Sequence, residues 1–256
     1  MKRILRSFLK LRPGAMANLP PPAPMRRTYV VGDIHGMDKA LARLLVRIGQ
    51  DRGSAPADLV FVGDYADRGP GSAAVLKQLF ALCEGGGGNV ICLRGNHEQM
   101  MLDFLDRPEE KGALWLVNGG QETLQSFGIT RDARMGVSNP LDSLSQALRA
   151  ALPAGMEDWL RALPLLWQSG NLAVVHAAAD PRRPVDRQKP EALLWGHPRF
   201  PAEPRGDGIW VAHGHRVVER PIAENGHIAV DTGAWRGGPL TAARIDPDGR
   251  VDFLQE

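Results

Sequence analysis

The sequence predicts an α/β fold in one large domain, preceded by a basic tail and carrying a helical insertion. Three observations predict it. From Thr28 onward, short apolar runs alternate with helix-spaced apolar residues in the order strand, helix, strand, helix, strand. Strand patterns then stop between residues 98 and 164 and return after them. The 256 residues, 43% hydrophobic and 23% charged, suffice for one full core of the globular kind.

The tail comes first. Residues 1–27 hold seven basic side chains and no acid, so that of the net charge of +2 the remainder carries −5. A mildly acidic domain argues against nucleic acid as a partner. Ile4, Leu5, Phe8 and Leu9 fall on one side of a potential helix, with Lys2, Arg6 and Lys10 on the other, which suits weak contact with a membrane surface. The favoured expectation is a disordered extension ahead of a start at Met16 or Met25, ending in the proline-rich stretch Leu19–Pro24. No apolar run approaches the roughly 20 residues of a membrane span. The tail also lacks the apolar core of a secretory signal. Cys83 and Cys92 lie in apolar patterns that fit buried, reduced thiols, and the expected location is the cytoplasm.

The domain spans residues 28–256, with 98–164 as the insertion. Tyr29-Val30-Val31 reads as a strand and ends in Gly32-Asp33-Ile34-His35-Gly36. Leu41, Leu44, Leu45 and Ile48 have helical spacing. Asp58–Val62 is the second strand and ends in Gly63-Asp64-Tyr65-Ala66-Asp67-Arg68-Gly69; Val75, Leu76, Leu79 and Leu82 mark the helix after it. The run Gly85–Gly88 precedes a strand rather than a helix, so it is a flexible connection and not a phosphate loop. Asn89–Leu93 is the third strand and ends in Gly95-Asn96-His97-Glu98. In the insertion, three helices are expected: around Met100–Leu105, through Trp115, Leu116 and Leu124, and over Leu141–Leu152. Strands resume at Leu165–Trp167, Leu172–Val175 before His176, and Ile209–Ala212 before His213-Gly214-His215. A hairpin is expected to turn at Glu224-Asn225-Gly226, and Val251–Leu254 is the last strand.

Three strands thus end in a glycine beside a carboxylate, amide or imidazole. Asp33, His35, Asp64, Asn96, His176 and His215 suit two adjacent divalent ions, with Asp64 bridging them. Asp33 and His35 complete one site, and Asn96, His176 and His215 the other. Oxygen and nitrogen ligands without sulfur point to Mn, with Fe or Zn as alternatives. A hydroxide bridging two such ions attacks phosphorus in line. Arg68 suits a two-oxygen grip on phosphate, with Asn96 beside it. His97 suits protonation of the leaving oxygen, with Asp67 orienting the imidazole.

On these motifs, together with Asn118-Gly119-Gly120 and Asp231-Thr232-Gly233-Ala234, the chain resembles the phosphoprotein phosphatase family of calcineurin-like metallophosphoesterases, in its compact bacterial and phage-lambda type. The resemblance covers about residues 28–245. It implies a mixed β-sandwich flanked by helices with the metals at strand ends. It also implies a serine/threonine phosphatase acting on a phosphoprotein or phosphopeptide. One departure stands out. Compact members carry a tryptophan and, two positions on, an arginine that grips the phosphate. Here Trp195-Gly196-His197-Pro198-Arg199 has His197 at that place. Arg199 is expected to reach the phosphate instead, since its charge does not titrate, with His197 a lesser contact and Arg205 the alternative. His213 is expected to support the site, His227 to lie on the surface, and Asp231 to brace a loop. Two other functions compete: symmetrical hydrolysis of a dinucleoside polyphosphate such as diadenosine tetraphosphate, and a catalytically degenerate phosphate- or partner-binding protein. A nucleotide reader needs stacking surfaces near the metals. The insertion offers Trp115 and few other aromatics, which favours phosphoprotein.

Overall fold

The computed structural model describes residues 19–130 and 140–256. Strands β1 (Thr28–Val31), β2 (Asp58–Phe61) and β3 (Val90–Cys92) pair in parallel. They are joined by α1 (Asp38–Arg52) and α2 (Ser72–Gly85). Alternation along the strands builds two cores from one sheet. Tyr29, Val31 and Phe61 meet Leu41, Leu44 and Ile48 of α1 and Val75, Leu76 and Leu79 of α2. Val30 and Val60 point the other way, into the space between two sheets.

The second sheet fills the far side of that space. It contains β4 (Leu166–Ser169), β5 (Leu172–Val175), β6 (Trp210–His213), β7 (Ile222–Glu224) and β8 (His227–Ala229), in the order β4-β5-β6-β8-β7. Leu172, Val174, Ala212 and Ile228 supply its inner face. Its outer face packs Val175 and Val211 against Phe200 and Leu193 of α8 (Pro190–Trp195). Within it, β5, β6 and β8 are parallel and β4 and β7 antiparallel. The first sheet is completed by β9 (Thr241–Ile245), antiparallel to β1, and β10 (Val251–Gln255), antiparallel to β9. Both sheets are therefore mixed, and helices flank them, as the resemblance implies.

Among the described residues, 96–162 contain helices and no strand. They are α3 (Asn96–Asp106), α4 (Pro108–Trp115), α5 (Gln121–Ser126), α6 (Pro140–Ala151) and α7 (Met156–Ala162). The single helix expected through Trp115, Leu116 and Leu124 is broken. A π turn at Leu116–Gly120 separates α4 from α5, and Gly119 takes φ 109°, which no helix allows. Residues 131–139 of the insertion and the amphipathic stretch around Ile4–Leu9 lie outside the described residues. The pattern missed α7, α8 and β9. β9 is rich in small residues, and its burial comes from lying between β1 and β10 rather than from an alternation of its own.

Two expectations need correction. Residues 19–27 are not a disordered end. Trp210 Nε1 donates to the Pro20 carbonyl at 2.7 Å and Asn171 Nδ2 to that of Pro21 at 3.0 Å. The Ala23 N–H donates to Asn171 Oδ1 at 2.5 Å and the Met25 N–H to Ser169 Oγ at 2.9 Å. The prolines make this inexpensive, because they hold the chain extended and bring no N–H of their own to satisfy. His227 is not a surface residue either. It is buried beside His213 and Phe200, because β8 is an inner strand of the second sheet.

Candidate active site

The parallel strands deliver their C-terminal ends to one edge of the sandwich, where the loops of both sheets meet. The His35 N–H donates to the Asp64 carbonyl at 2.8 Å and the Gly214 N–H to the His176 carbonyl at 2.8 Å, so each loop is pinned to its neighbour. Six described non-glycine residues have positive φ, and five of them are here: His35, Asp64, Asp67, Arg68 and His215. Such backbone strain persists only where the surroundings over-determine it. Two glycines permit the close approach. A Cβ at Gly95 would collide with Asp64 Oδ1, and one at Gly214 with Asp33 Oδ1.

Asp64 is the centre. Its Oδ2 lies 3.5 Å from His35 Nε2 and its Oδ1 3.4 Å from His176 Nε2, while the His97 N–H donates to Oδ1 at 3.0 Å. Asn96 Oδ1 lies 2.8 Å from His176 Nε2 and 3.0 Å from His215 Nδ1. Two groups of donor atoms, each within 4.8 Å of one another, share Asp64: His35, Asp64 and His97, and Asp64, His176 and His215. The first group contains His97 and leaves out Asp33, unlike the expected pairing. Both oxygens of Asp33 instead accept the His215 N–H, at 3.1 and 3.0 Å.

The protonation states suit cation binding. His35 Nδ1 donates to the Ala66 carbonyl at 2.9 Å and His176 Nδ1 to that of Val62 at 3.2 Å, leaving both Nε2 lone pairs facing Asp64. Burial pushes His35 down to about 3 and His176 down to about 4, so both are neutral. Burial alone would protonate Asp64, but the neighbouring imidazoles and the His97 N–H hold it ionised. Burial, with Asp231 and Asp64 nearby, raises Asp33 well above the usual carboxylate range, and burial pushes Asp231 up to about 6. Buried carboxylates in such number, with imidazole lone pairs turned toward them, fit divalent cations.

His97 is held from both sides. Its Nδ1 lies 2.7 Å from Asp67 Oδ2, and Arg68 Nη2 approaches its Nε2 at 3.0 Å. Burial works against a charge on His97, but Asp64 and the Asp67 hydrogen bond outweigh it and raise its pKa. Arg68 also reaches His35 Nε2, at 3.2 Å, and its guanidinium stacks over Trp235, 4.6 Å from the ring centroid. A cleft of about 640 Å³ opens there, lined by Arg68, Val117, Asn118, Gly119 and Trp235 among others.

The expected phosphate arginine is not brought in. Arg199 turns to Glu203, with Nε 3.5 Å from Oε2, and Arg205 is tied to Asp207 and to the Asp180 and Arg183 carbonyls. His197 does line the cavity beside His215, with Trp195 and Arg216, and its Nε2 lies 3.7 Å from Asp180 Oδ2. The irregular segments on either side of β6 set these directions, and no sequence spacing encodes them. His213 is buried against Phe200, with its Nδ1 on the Gly214 carbonyl, and Asp231 accepts the Gly233 N–H, as expected of supporting residues.

Sequence reasoning missed three supports. Glu98, fully buried, accepts the N–H groups of Asp64, Tyr65, Ala66 and Gly95 and so shapes the Asp64 loop. Trp115 Nε1 and Thr123 Oγ1 both donate to Asp67, at 3.0 and 2.7 Å. Trp115 is therefore a buried strut and not a stacking surface, whereas Trp235 and Trp195 are 37% and 48% exposed. The Asn118-Gly119-Gly120 motif was the signal for Trp115 and Thr123, since the π turn it forms carries them to Asp67 from opposite ends.

Comparison with known proteins agrees with this geometry. The sequence profile of the calcineurin-like phosphoesterases matches residues 26–254. The chain is 32% identical over 231 residues to serine/threonine-protein phosphatase 1 of Salmonella typhimurium, covering 86% of this chain and 92% of that protein. It is 28% identical over 238 residues to the asymmetrical bis(5'-nucleosyl)-tetraphosphatase of Bacillus velezensis, covering 84% of this chain and 88% of that one. Among solved structures, a yeast serine/threonine phosphatase with similarity to human phosphatase PP5 shares the fold, with TM-score 0.57 and 16% identity over 91% of this chain and 80% of that one.

Proposed function

The chain belongs to the calcineurin-like phosphoesterases and is a hydrolase of phosphoric esters, and on that premise we propose that it removes phosphate from phosphoserine or phosphothreonine in proteins. Asp33, His35, Asp64, Asn96, His176 and His215 hold two divalent cations in this proposal, Mn foremost. Two such cations supply a nucleophile from water at neutral pH and take up charge on the phosphoryl oxygens. The observation that carries the reaction type is His97, fixed between Asp67 and Arg68 at 2.7 and 3.0 Å beside Asp64. His97 gives its Nε2 proton to the leaving alkoxide, and Asp67 holds the ring and balances the imidazolium. Arg68 faces that same Nε2, so its guanidinium swings onto the phosphate as His97 turns donor. His197 and Arg216 face the cavity on the other flank and meet the phosphate or its substituent there.

The phosphoprotein assignment draws on the Salmonella relative. A second reading, hydrolysis of a dinucleoside polyphosphate, draws on Trp235, whose half-exposed ring beside Arg68 offers the stacking face that a nucleobase needs. Parallel turnover of a phosphothreonine peptide and diadenosine tetraphosphate, with Mn and with a chelator, tests both. Preference for the peptide is expected, with activity lost on chelation and in Asp64→Asn. Full activity without metal would remove the mechanism, and preference for the dinucleotide would reverse the substrate assignment.

A further inference from the structure

Neither cysteine of the chain is among the residues that gather at Asp64, although Cys92 lies against the Tyr65 side chain behind that loop. Cys83 is in the last turns of α2 and Cys92 is the final residue of β3, yet their sulfurs are 3.4 Å apart and unbonded. Cys92 is buried beneath the strand end that carries Asn96 and His97, whereas Cys83 is only partly covered. The two thiols also differ in chemistry. The hydrogen bond with Cys92 lowers the Cys83 thiol from its ordinary range, and burial drives the Cys92 thiol well above it. Such a pair has one sulfur that ionises within reach of solvent and a second waiting behind it.

We propose that Cys83 and Cys92 form a reversible oxidation site, closed to a disulfide by peroxide with Cys83 as the attacking thiol. The Cys83 thiolate takes one oxygen of the peroxide, the O–O bond breaks, and hydroxide leaves as water. Cys92 then attacks the resulting sulfenic acid at sulfur, the S–O bond breaks, and a second water departs with the Cys92 proton. The two thiols lose two electrons and hydrogen peroxide gains them.

The fold sets which side moves. The sulfurs must close from 3.4 Å to a bond of about 2.05 Å. Cys92 is pinned, since it registers with Phe61 of β2 and the next residue, Leu93, donates its N–H to the Phe61 carbonyl at 2.9 Å. The end of α2 runs instead into Gly85–Gly88, where Gly85, Gly87 and Gly88 have open space around them. The shift therefore falls on the helix end and not on the strand that leads to the active site. The bridge then acts as a clamp between α2 and β3 that leaves turnover intact.

The test uses full-length, metal-loaded protein treated with hydrogen peroxide and then alkylated under denaturing conditions. With two cysteines in the chain, a bridge within one molecule has one assignment. The expected result is a mass lower by about 2 Da, loss of both alkylation sites, and their return with a thiol reductant. Cys92→Ala is expected to stop at a sulfenic acid on Cys83, trapped by a cyclic diketone, while Cys83→Ala leaves Cys92 unmodified. The melting temperature should rise on oxidation by about 5 °C, reversibly, with kcat unchanged. Two thiols still alkylatable after peroxide, or a bridge only between molecules, would overturn the proposal. So would oxidation that begins at Cys92. A fall in kcat that Cys83→Ala abolishes would keep the site and overturn the clamp.

Discussion

At the scale of single residues, His97 and its supports make a graded series. His97→Asn should keep the cations and lose about 10²–10⁴ in turnover, with a smaller loss for nitrophenyl than for phenyl phosphate, because a good leaving group needs less protonation. Equal losses on the two substrates would remove His97 from the acid role. Trp115→Phe keeps the ring stacked on Phe104, 4.6 Å between centroids, and deletes only the donor to Asp67. A loss of roughly 10-fold is expected, confined to kcat and again larger for the poor leaving group. His227 gives a stability test away from the chemistry. Burial lowers its pKa, so the unfolded chain binds the proton more readily than the folded one. Stability should therefore be full above the unfolded pKa of about 6.5 and fall as the pH drops below it. Melting curves between pH 7 and pH 5 check this, and His227→Gln should flatten the decline. Some of these roles were legible in the sequence and some were not. The position of His97 after Asn96 already suggested an acid. The roles of Trp115 and Thr123 were not legible, because residues 48 and 56 places beyond Asp67 meet it only through the fold.

At the scale of elements, the strand-end motifs work because parallel pairing brings β1, β2 and β3 to one edge, and the hydrophobic alternation fixes that register. The glycine-rich π turn between α4 and α5 is the element that sequence periodicity misread as continuous helix. The extended segment at residues 19–27 is the other such case. Composition alone describes it as linker, yet the second sheet supplies the donors that its carbonyls need. Asn171→Ala removes the partner of both the Ala23 N–H and the Pro21 carbonyl. It should cost about 1–2 kcal/mol in urea unfolding, with activity unchanged. An unaltered midpoint would mean that the segment adds nothing to stability.

At the scale of the molecule, the site draws His35, Asp64 and Asn96 from the first sheet and His176 and His215 from the second. A cation bound between them ties the two sheets together and has no such site in the unfolded chain. Adding Mn should therefore raise the melting temperature, by the equivalent of about 2.7 kcal/mol at 100-fold excess over its Kd. Asp64→Asn should abolish the increase, and an increase that survives in that variant would point to a different cation site.

The sequence by itself determined the α/β class, the strand-end motifs and the family, because these depend on local alternation and on residues adjacent in the chain. It also named His35, His97, His176 and His215, whose ring nitrogens the fold brings to Asp64, but not the Glu98 carboxylate that shapes the Asp64 loop. The tertiary structure decided what local pattern cannot carry: that Arg199 pairs with Glu203 while His197 and Arg216 face the cavity, that Trp115 braces Asp67 while Trp235 stacks on Arg68, and that Cys83 meets Cys92. Each of these depends on the path of an irregular loop or on two elements packing together. Side-chain direction there is set by the surrounding contacts and not by the spacing of residues along the chain.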